Sequence, residues 1–327
     1  MNYAVYKLGF LTALHIGHDS GGAPLPSAEL TIHSDTLFSA LCMEAKQVGG
    51  EELLHRLYVL CRNGSFSFSD LFPYRGETYF VPRPILKIES SSSGEDGKER
   101  KDYKKLKYIS TLDFDVYLAS LSGTVDFDVK RANTQLRDIG IRETRQMVSI
   151  KGQEETQPFY LGCMRFNQGC GLYLVVSYHA EAELSLITNL LENLGLSGIG
   201  GKRSAGLGKF LVEDPIFLDE EYSAGIDALG NLLRETAGRL MLLNTALPRD
   251  DELNEACLDG YYMLLRRGGF VQSDVYYQHQ VKKKLLYAFA PGSTFRRPFY
   301  GDIYDVSEAG NHPVYRNLKP MFLGVNV

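Results

Sequence analysis

Between Gly198 and Phe210 the chain reads GIGGKRSAGLGKF: five glycines (Gly198, Gly200, Gly201, Gly206, Gly208), the basic pair Lys202 and Arg203, and a hydroxyl at Ser204. Glycine lacks a Cβ and tolerates positive φ, so such a run can curl its N–H groups around an anion, with the two cations supplying charge. The chemistry expected of it is phosphate recognition. A glycine turn that merely lets two elements pack is the alternative. A Walker loop is excluded because it needs Gly-Lys followed directly by Ser or Thr, and here Arg203 intervenes. A dinucleotide loop is excluded because it follows a strand and opens a helix. Here the helix comes first: Ala182 to Leu194 carries Leu184, Ile187, Leu190, Leu191 and Leu194 at helical spacing, with Gly195 as its stop, and Phe210 to Val212 reads as a strand after the loop.

The elements that must position this loop follow from a walk along the chain. Tyr3 to Leu11 reads as a strand, and a Gly/Pro/Ser-rich loop runs from His15 to Glu29. Ser34 or Asp35 caps a helix striped by Leu37, Phe38, Leu41 and Cys42, broken at Gly49-Gly50 and resuming from Glu51 to Cys61. Tyr79 to Ile88 reads as an edge strand because of Pro82 and Pro84. Ser90 to Lys105 is a polar low-complexity stretch that buries nothing. Gln157 to Phe166 and Leu172 to Tyr178 read as a hairpin or as two strand segments. Beyond the glycine loop, Leu240 to Leu247, Tyr261 to Arg267, Leu285 to Ala290 and Pro320 to Val325 read as strands, with a helical stretch near Asp250 to Cys257.

Without the polar insertion, the first order is strand, helix, strand, strand, helix, strand, the split βαβ pattern of the ferredoxin-like fold. The fold class expected is α+β with two ferredoxin-like (RRM-like) domains. The first spans 1–215, with an insertion at about 90–155; the second, diverged, spans 216–327.

Size and composition agree with two cores: the chain has 327 residues, 44% of them hydrophobic. No stretch approaches the roughly 20 apolar residues of a membrane span, and MNYAVYKLGF lacks a charged leader before an apolar run, so a cytoplasmic protein is expected. The five cysteines form no close Cys-x-x-Cys pair, so they read as buried thiols rather than a disulfide or zinc framework. Net charge is −5, but its distribution is uneven. Asp214 to Gly260 holds eleven acids and three bases, whereas Lys98 to Lys151 holds twelve bases and eight acids. Val281 to Tyr300 holds five bases and no acid, interleaved with Phe289, Phe295, Phe299 and Tyr300. Basic loops carrying aromatics suit the phosphates and bases of nucleic acid.

The spacing Gly198-Ile199-Gly200, five residues, Gly206-Leu207-Gly208-Lys209-Phe210 resembles the glycine-rich loop of the RAMP superfamily of CRISPR proteins. The His15-Ile16-Gly17 turn and the helix start Ser34-Asp35-Thr36-Leu37-Phe38-Ser39-Ala40-Leu41 resemble the same group. Because a further domain follows the loop, the chain looks most like the type III-A (Csm) effector subunit that caps the 5′ handle of the guide RNA. The resemblance implies a non-catalytic RNA holder that needs no cofactor. Its implied partners are the crRNA 5′ handle, the edge of the guide–target duplex, the large polymerase-like subunit and an adjacent backbone RAMP subunit.

It also implies site residues. The glycine loop and the helix start at Ser34, Asp35 and Thr36 would present N–H groups to phosphate, while His15 would stack on a base or bond a 2′-hydroxyl near Gly17. Val125 to Ser149 resembles the family's projecting thumb, with Lys130, Arg131, Asn133, Arg137, Arg142 and Arg145 placed for an RNA backbone. In GSTFRRPFYG, Phe295 would stack while Arg296 and Arg297 pair with phosphate, or the segment is a core-edge strand with a salt-bridged pair.

Two other classes compete. A metal-independent RAMP endoribonuclease would use His15 as general base, but over a hundred residues follow the loop and no second histidine or tyrosine is evident as partner acid. A small phosphate-binding protein would need no such spread of basic segments. The acid pairs Asp126/Asp128 and Asp302/Asp305 lack accompanying ligands, so neither a metal nor a catalytic residue is assigned.

Overall fold

The computed structural model describes residues 2–17, 28–87, 97–149, 157–218, 220, 222–235, 237–273, 275–277, 279, 281–308 and 310–326. Residues 18–27 of the expected N-terminal loop, 90–96 of the polar stretch and 150–156 of the insertion lie outside them. In chain order come strand β1 (Asn2–Phe10), helix α1 (Ser34–Arg62), β2 (Phe66–Phe68), β3 (Phe72–Arg75) and β4 (Thr78–Pro82). Then follow α2 (Gly97–Lys105), β5 (Tyr108–Ser110), α3 (Phe114–Leu121), α4 (Val129–Arg137), β6 (Gly140–Ser149), β7 (Gln157–Phe166), β8 (Cys170–Tyr178) and α5 (Glu181–Ser197). The glycine loop leads to β9 (Phe210–Val212), β10 (Ile216–Phe217), α6 (Ala224–Arg234), β11 (Arg239–Leu242), α7 (Leu253–Cys257) and β12 (Leu264–Arg267). The chain closes with β13 (Leu286–Phe289), β14 (Thr294–Phe295), β15 (Ile303–Asp305), β16 (Tyr315–Asn317) and β17 (Phe322–Val325).

The main sheet is antiparallel in the order β10-β1-β8-β3-β4-β5, with β9 also on β1 and β2 also on β8. Residues 4 to 8 of β1 are all buried because the sheet is covered on both faces. Alternate residues go opposite ways: Ala4, Tyr6 and Leu8 meet Leu37, Phe38 and Leu41 of α1 and Ile187 and Leu191 of α5. Val5 faces the other layer, with Ile226 and Leu229 of α6, Met241 of β11 and Leu323 and Val325 of β17. One apolar layer therefore joins the two halves of the chain, and Ile216–Phe217, pairing with β1, closes the first sheet beyond residue 215.

Several sequence expectations change here. Gln157–Phe166 makes no hairpin with β8, whose edges are taken by β1 and by β2 and β3; it pairs instead with β6, from Gly140↔Phe166 to Ser149↔Gln157. Strand β4 is not an edge, since β3 and β5 flank it and Pro82 comes at its last position. Residues 97–105 of the polar stretch are helical. His33, not Ser34 or Asp35, is the N-cap residue of α1, and its side chain makes no capping bond; the break at Gly49 and Gly50 is present. Helix α5 runs past Gly195 to Ser197, because a missing Cβ at Gly195 is needed where the Phe210 carbonyl passes, and Gly198 ends the helix at φ 86°. Within the acidic stretch lies an unforeseen helix, α6, started by Ser223 Oγ accepting from the Ile226 N–H and burying Ile226, Leu229 and Leu233.

Candidate nucleic-acid interface

The glycine loop is braced more than it is open. The Gly198 N–H donates to Leu194 O, Gly201 to His15 O, Gly206 to Arg203 O and Gly208 to Ala13 O, at 2.7 to 2.9 Å. Ile199 donates to Gly208 O, and Lys209 to Thr12 Oγ1. A Cβ at Gly208 would overlap the Ile199 carbonyl, so this glycine is required by close backbone approach. The expected nest therefore shrinks. The amides of Gly198, Gly201, Gly206 and Gly208 are occupied, and those of Gly200, Lys202, Arg203 and Ser204 have no hydrogen bond among the described residues.

The two loop cations also part company. Lys202 sits with its Nζ 4.8 Å from the Phe159 ring centroid, against the β6–β7 arm where Phe159 pairs with Met147. Arg203 donates to Gly198 O at 3.4 Å, stands 3.8 Å from Glu44 and faces a cavity of about 660 Å³. That cavity is where the candidates converge. One wall is His15, Ile16 and Gly17 with Gly200, Gly201 and Arg203; the floor is the start of α1, including His33, Asp35, Thr36 and Ser39. The facing wall comes from the second half of the chain: residues 264–270 with Lys283, Tyr287, Tyr315 and Arg316. Leu30 to Ser34 and residues 69–71 are tied together beneath it, since Asp70 accepts from the amides of Ser34 and Thr245 at 2.8 and 2.9 Å.

Asp35 and Ser34 require correction. Asp35 is 3% exposed and ion-paired with Arg267 at 2.7 Å and with Arg316, so its carboxylate joins the floor to the facing wall and has no open face for RNA. Burial alone would raise its pKa; the charges of Arg267 and Arg316, with the Arg267 hydrogen bond and His33, override this and hold the carboxyl well below the ordinary range. The Ser34 amide is occupied by Asp70, and its buried hydroxyl has no partner among the described residues.

Elsewhere the candidates scatter. Lys130, Arg131, Asn133 and Arg137 lie on α4, where Asn133 donates to Asp102 O at 2.9 Å, Arg131 pairs with Asp113 at 3.5 Å and Arg137 reaches Thr134. Arg142 and Arg145 lie on β6, and Arg145 bonds Glu143 at 2.7 Å. Phe295 is no stacking platform: it is 0% exposed, with Phe289 and Phe299 ring centroids 5.1 and 5.3 Å away. Arg297 is ion-paired with Glu255, and Arg296 is exposed, so the salt-bridged core-edge strand is what forms.

Three groups escaped the sequence analysis. Arg266 and Arg267, at the end of β12, form the far wall; the adjacent basic pair was the available signal. His33 is a second histidine in the cavity with His15, a placement that only long-range pairing reveals. Among the described residues no cluster of three or more His, Cys, Asp or Glu side chains could hold a metal, and no helix is long and apolar enough to cross a membrane.

This mixed α/β architecture, with its antiparallel sheets, is that of chains in two solved CRISPR assemblies. A chain in the crystal structure of the Csm3–Csm4 subcomplex of the type III-A CRISPR-Cas interference complex aligns over 100% of both chains, with TM-score 0.66 and 18% identity. A chain in the Csm1–Csm4 cassette with pppApA aligns over 100% of this chain and 99% of that one, with TM-score 0.61 and 19% identity. Residues 235–325 match the CRISPR Csm4 C-terminal domain. The CRISPR system Cms protein Csm4 of Mycobacterium tuberculosis is 36% identical over 326 residues, covering 99% of this chain and 98% of the relative. That of Streptococcus thermophilus is 29% identical, covering 100% of both. The chain belongs to the Csm4 family.

Proposed function

We propose that this chain is the subunit of a type III-A CRISPR-Cas complex that grips the repeat-derived 5′ handle of the crRNA without cutting it. The observation that carries this reading is the cavity shared by the glycine loop, the start of α1 and β12. Arg203, Arg266 and Lys283 line it, and there a single-stranded polyanion would meet donors from both halves of the chain. The order β9-β1-β8-β2, with α1 and α5 on one face, supports a ferredoxin-like first domain. The exposed β6 strand of the β6–β7 arm supports a thumb that reaches the guide–target duplex. Docking to a large polymerase-like subunit and to a backbone RAMP subunit is proposed from the Csm1 and Csm3 partners in the two solved assemblies.

The test is binding of handle RNA by the intact chain over a salt series. Changing Arg203 and Arg266 together to Ala should weaken binding and flatten the log K against log salt slope by about 1.4, two single-strand phosphate contacts. Lys202→Ala, removing a cation already seated on Phe159, should leave the slope near wild type. An unchanged slope in the double variant overturns the groove assignment. Site-specific cleavage of repeat RNA that vanishes in His15→Ala would favour the nuclease instead.

A further inference from the structure

Two imidazoles enter the groove in the same way, each held by Nδ1 from behind. His15 Nδ1 is 2.6 Å from Gly162 O of β7, and His33 Nδ1 is 2.6 Å from Asp70 Oδ2, on a carboxylate that is wholly buried. Thr245 Oγ1 sits 2.9 Å from the same His33 nitrogen. A carbonyl and a carboxylate only accept, so each Nδ1 carries a proton, and the neutral form of either ring presents its lone pair at Nε2. Neither Nε2 has a hydrogen-bond partner among the described residues, and neither is sealed from solvent. Both rings line the same cavity.

The rest of that lining is rich in groups that donate. Arg203, Arg266 and Lys283 can donate to phosphate oxygens and accept nothing, while of the two carboxylates in the lining, Glu29 and Asp35, Asp35 is already held by Arg267 and Arg316. Two imidazole nitrogens fixed in direction among cations suit a ligand that brings hydroxyl donors beside its phosphates. Ribose supplies that donor at the 2′ position, and deoxyribose lacks it. We propose that His15 and His33 are specificity-determining residues whose Nε2 atoms accept hydrogen bonds from 2′-hydroxyls, so that the groove selects RNA over DNA. This rests on the groove holding the handle. Asp70, through His33, is a positioning residue.

The experiment measures binding of the intact chain to three probes of the handle sequence: an all-ribose strand, the same-sequence DNA, and an RNA series with one 2′-deoxy position each. Wild type should prefer RNA, with one or two deoxy positions each losing roughly threefold to tenfold in affinity. His33→Phe should erase the loss at one position and His15→Phe at another, while His33→Gln, which keeps an acceptor, restores part of it. Thermal melts establish that each variant is folded, and His33→Gln carries the test should His33→Phe melt early. A flat deoxy series, or a series unchanged in the Phe variants, overturns the assignment. If Arg203→Ala with Arg266→Ala still weakens every strand alike, the groove reading survives that failure. If wild type binds no all-ribose strand, both fall.

Discussion

Asp35 and Arg267 are 232 residues apart in the chain and meet through two hydrogen bonds, Arg267 Nε donating at 3.0 Å and Nη2 at 2.7 Å. Arg316, on β16, adds a third contact to the same carboxylate. The groove floor and its facing wall are joined by this triad as well as by apolar packing, so its charge state bears on both stability and groove shape.

Acid should weaken the joint. Asp35 is held below its unfolded value near 3.9, so its contribution is fully present above that value and declines as pH falls through it toward the native one. Asp35→Asn removes the carboxylate charge that the two buried guanidinium groups share and should cost about 3–5 kcal/mol at pH 7. Urea unfolding of wild type and variant should show that gap at pH 7 and a narrower one at pH 3; a gap independent of pH contradicts the ion-pair assignment.

Two glycines of the loop should respond differently to Ala. Gly206 and Gly208 both have positive φ, 81° and 74°, but a Cβ at Gly206 meets nothing within 4 Å, whereas one at Gly208 overlaps Ile199 O. Gly206→Ala should cost about 1 kcal/mol from backbone strain alone, and Gly208→Ala at least about 2 kcal/mol more. Denaturant midpoints of the pair decide it; equal losses would mean that close approach is not what requires Gly208.

Neighbours on β14 and the turn after it should also separate. Phe295→Ala opens a cavity among Phe289, Phe299 and Phe322 and should destabilise by about 3–5 kcal/mol. Arg297→Ala removes an exposed ion pair with Glu255, within about 1 kcal/mol. Neither should alter the salt slope of RNA binding by the folded protein. A changed slope for Phe295→Ala would return that residue to the interface.

Where the signal is local, the sequence was readable: the strand at Asn2–Phe10, the kink at Gly49-Gly50, the strand at Phe210–Val212, and the loop between α5 and β9 all follow from periodicity and glycine placement. What depends on distant partners was not. Gln157–Phe166 looks the same whether it pairs forward with β8 or backward with β6, and only occupancy of both β8 edges decides. Asp35 reads as a helix-start acid until Arg267 and Arg316 arrive from the far end of the chain. The acidic charge of 214–260 hid the apolar stripe of α6. Phe295 and the two arginines after it carry an RNA-binding composition, yet alternation about a strand sends the ring inward.

The first strand of the chain has neighbours that come late. Strand β1 is flanked on one edge by Cys170–Tyr178 and on the other by Phe210–Val212 and Ile216–Phe217, so its first partner is made more than 150 residues after it and the second edge waits longer still. At about 5–20 residues per second, that leaves an apolar segment unpaired for roughly eight to thirty seconds of synthesis. This strand is thus a ready client for chaperones, and a stall before residue 170 would leave both its edges exposed to aggregation.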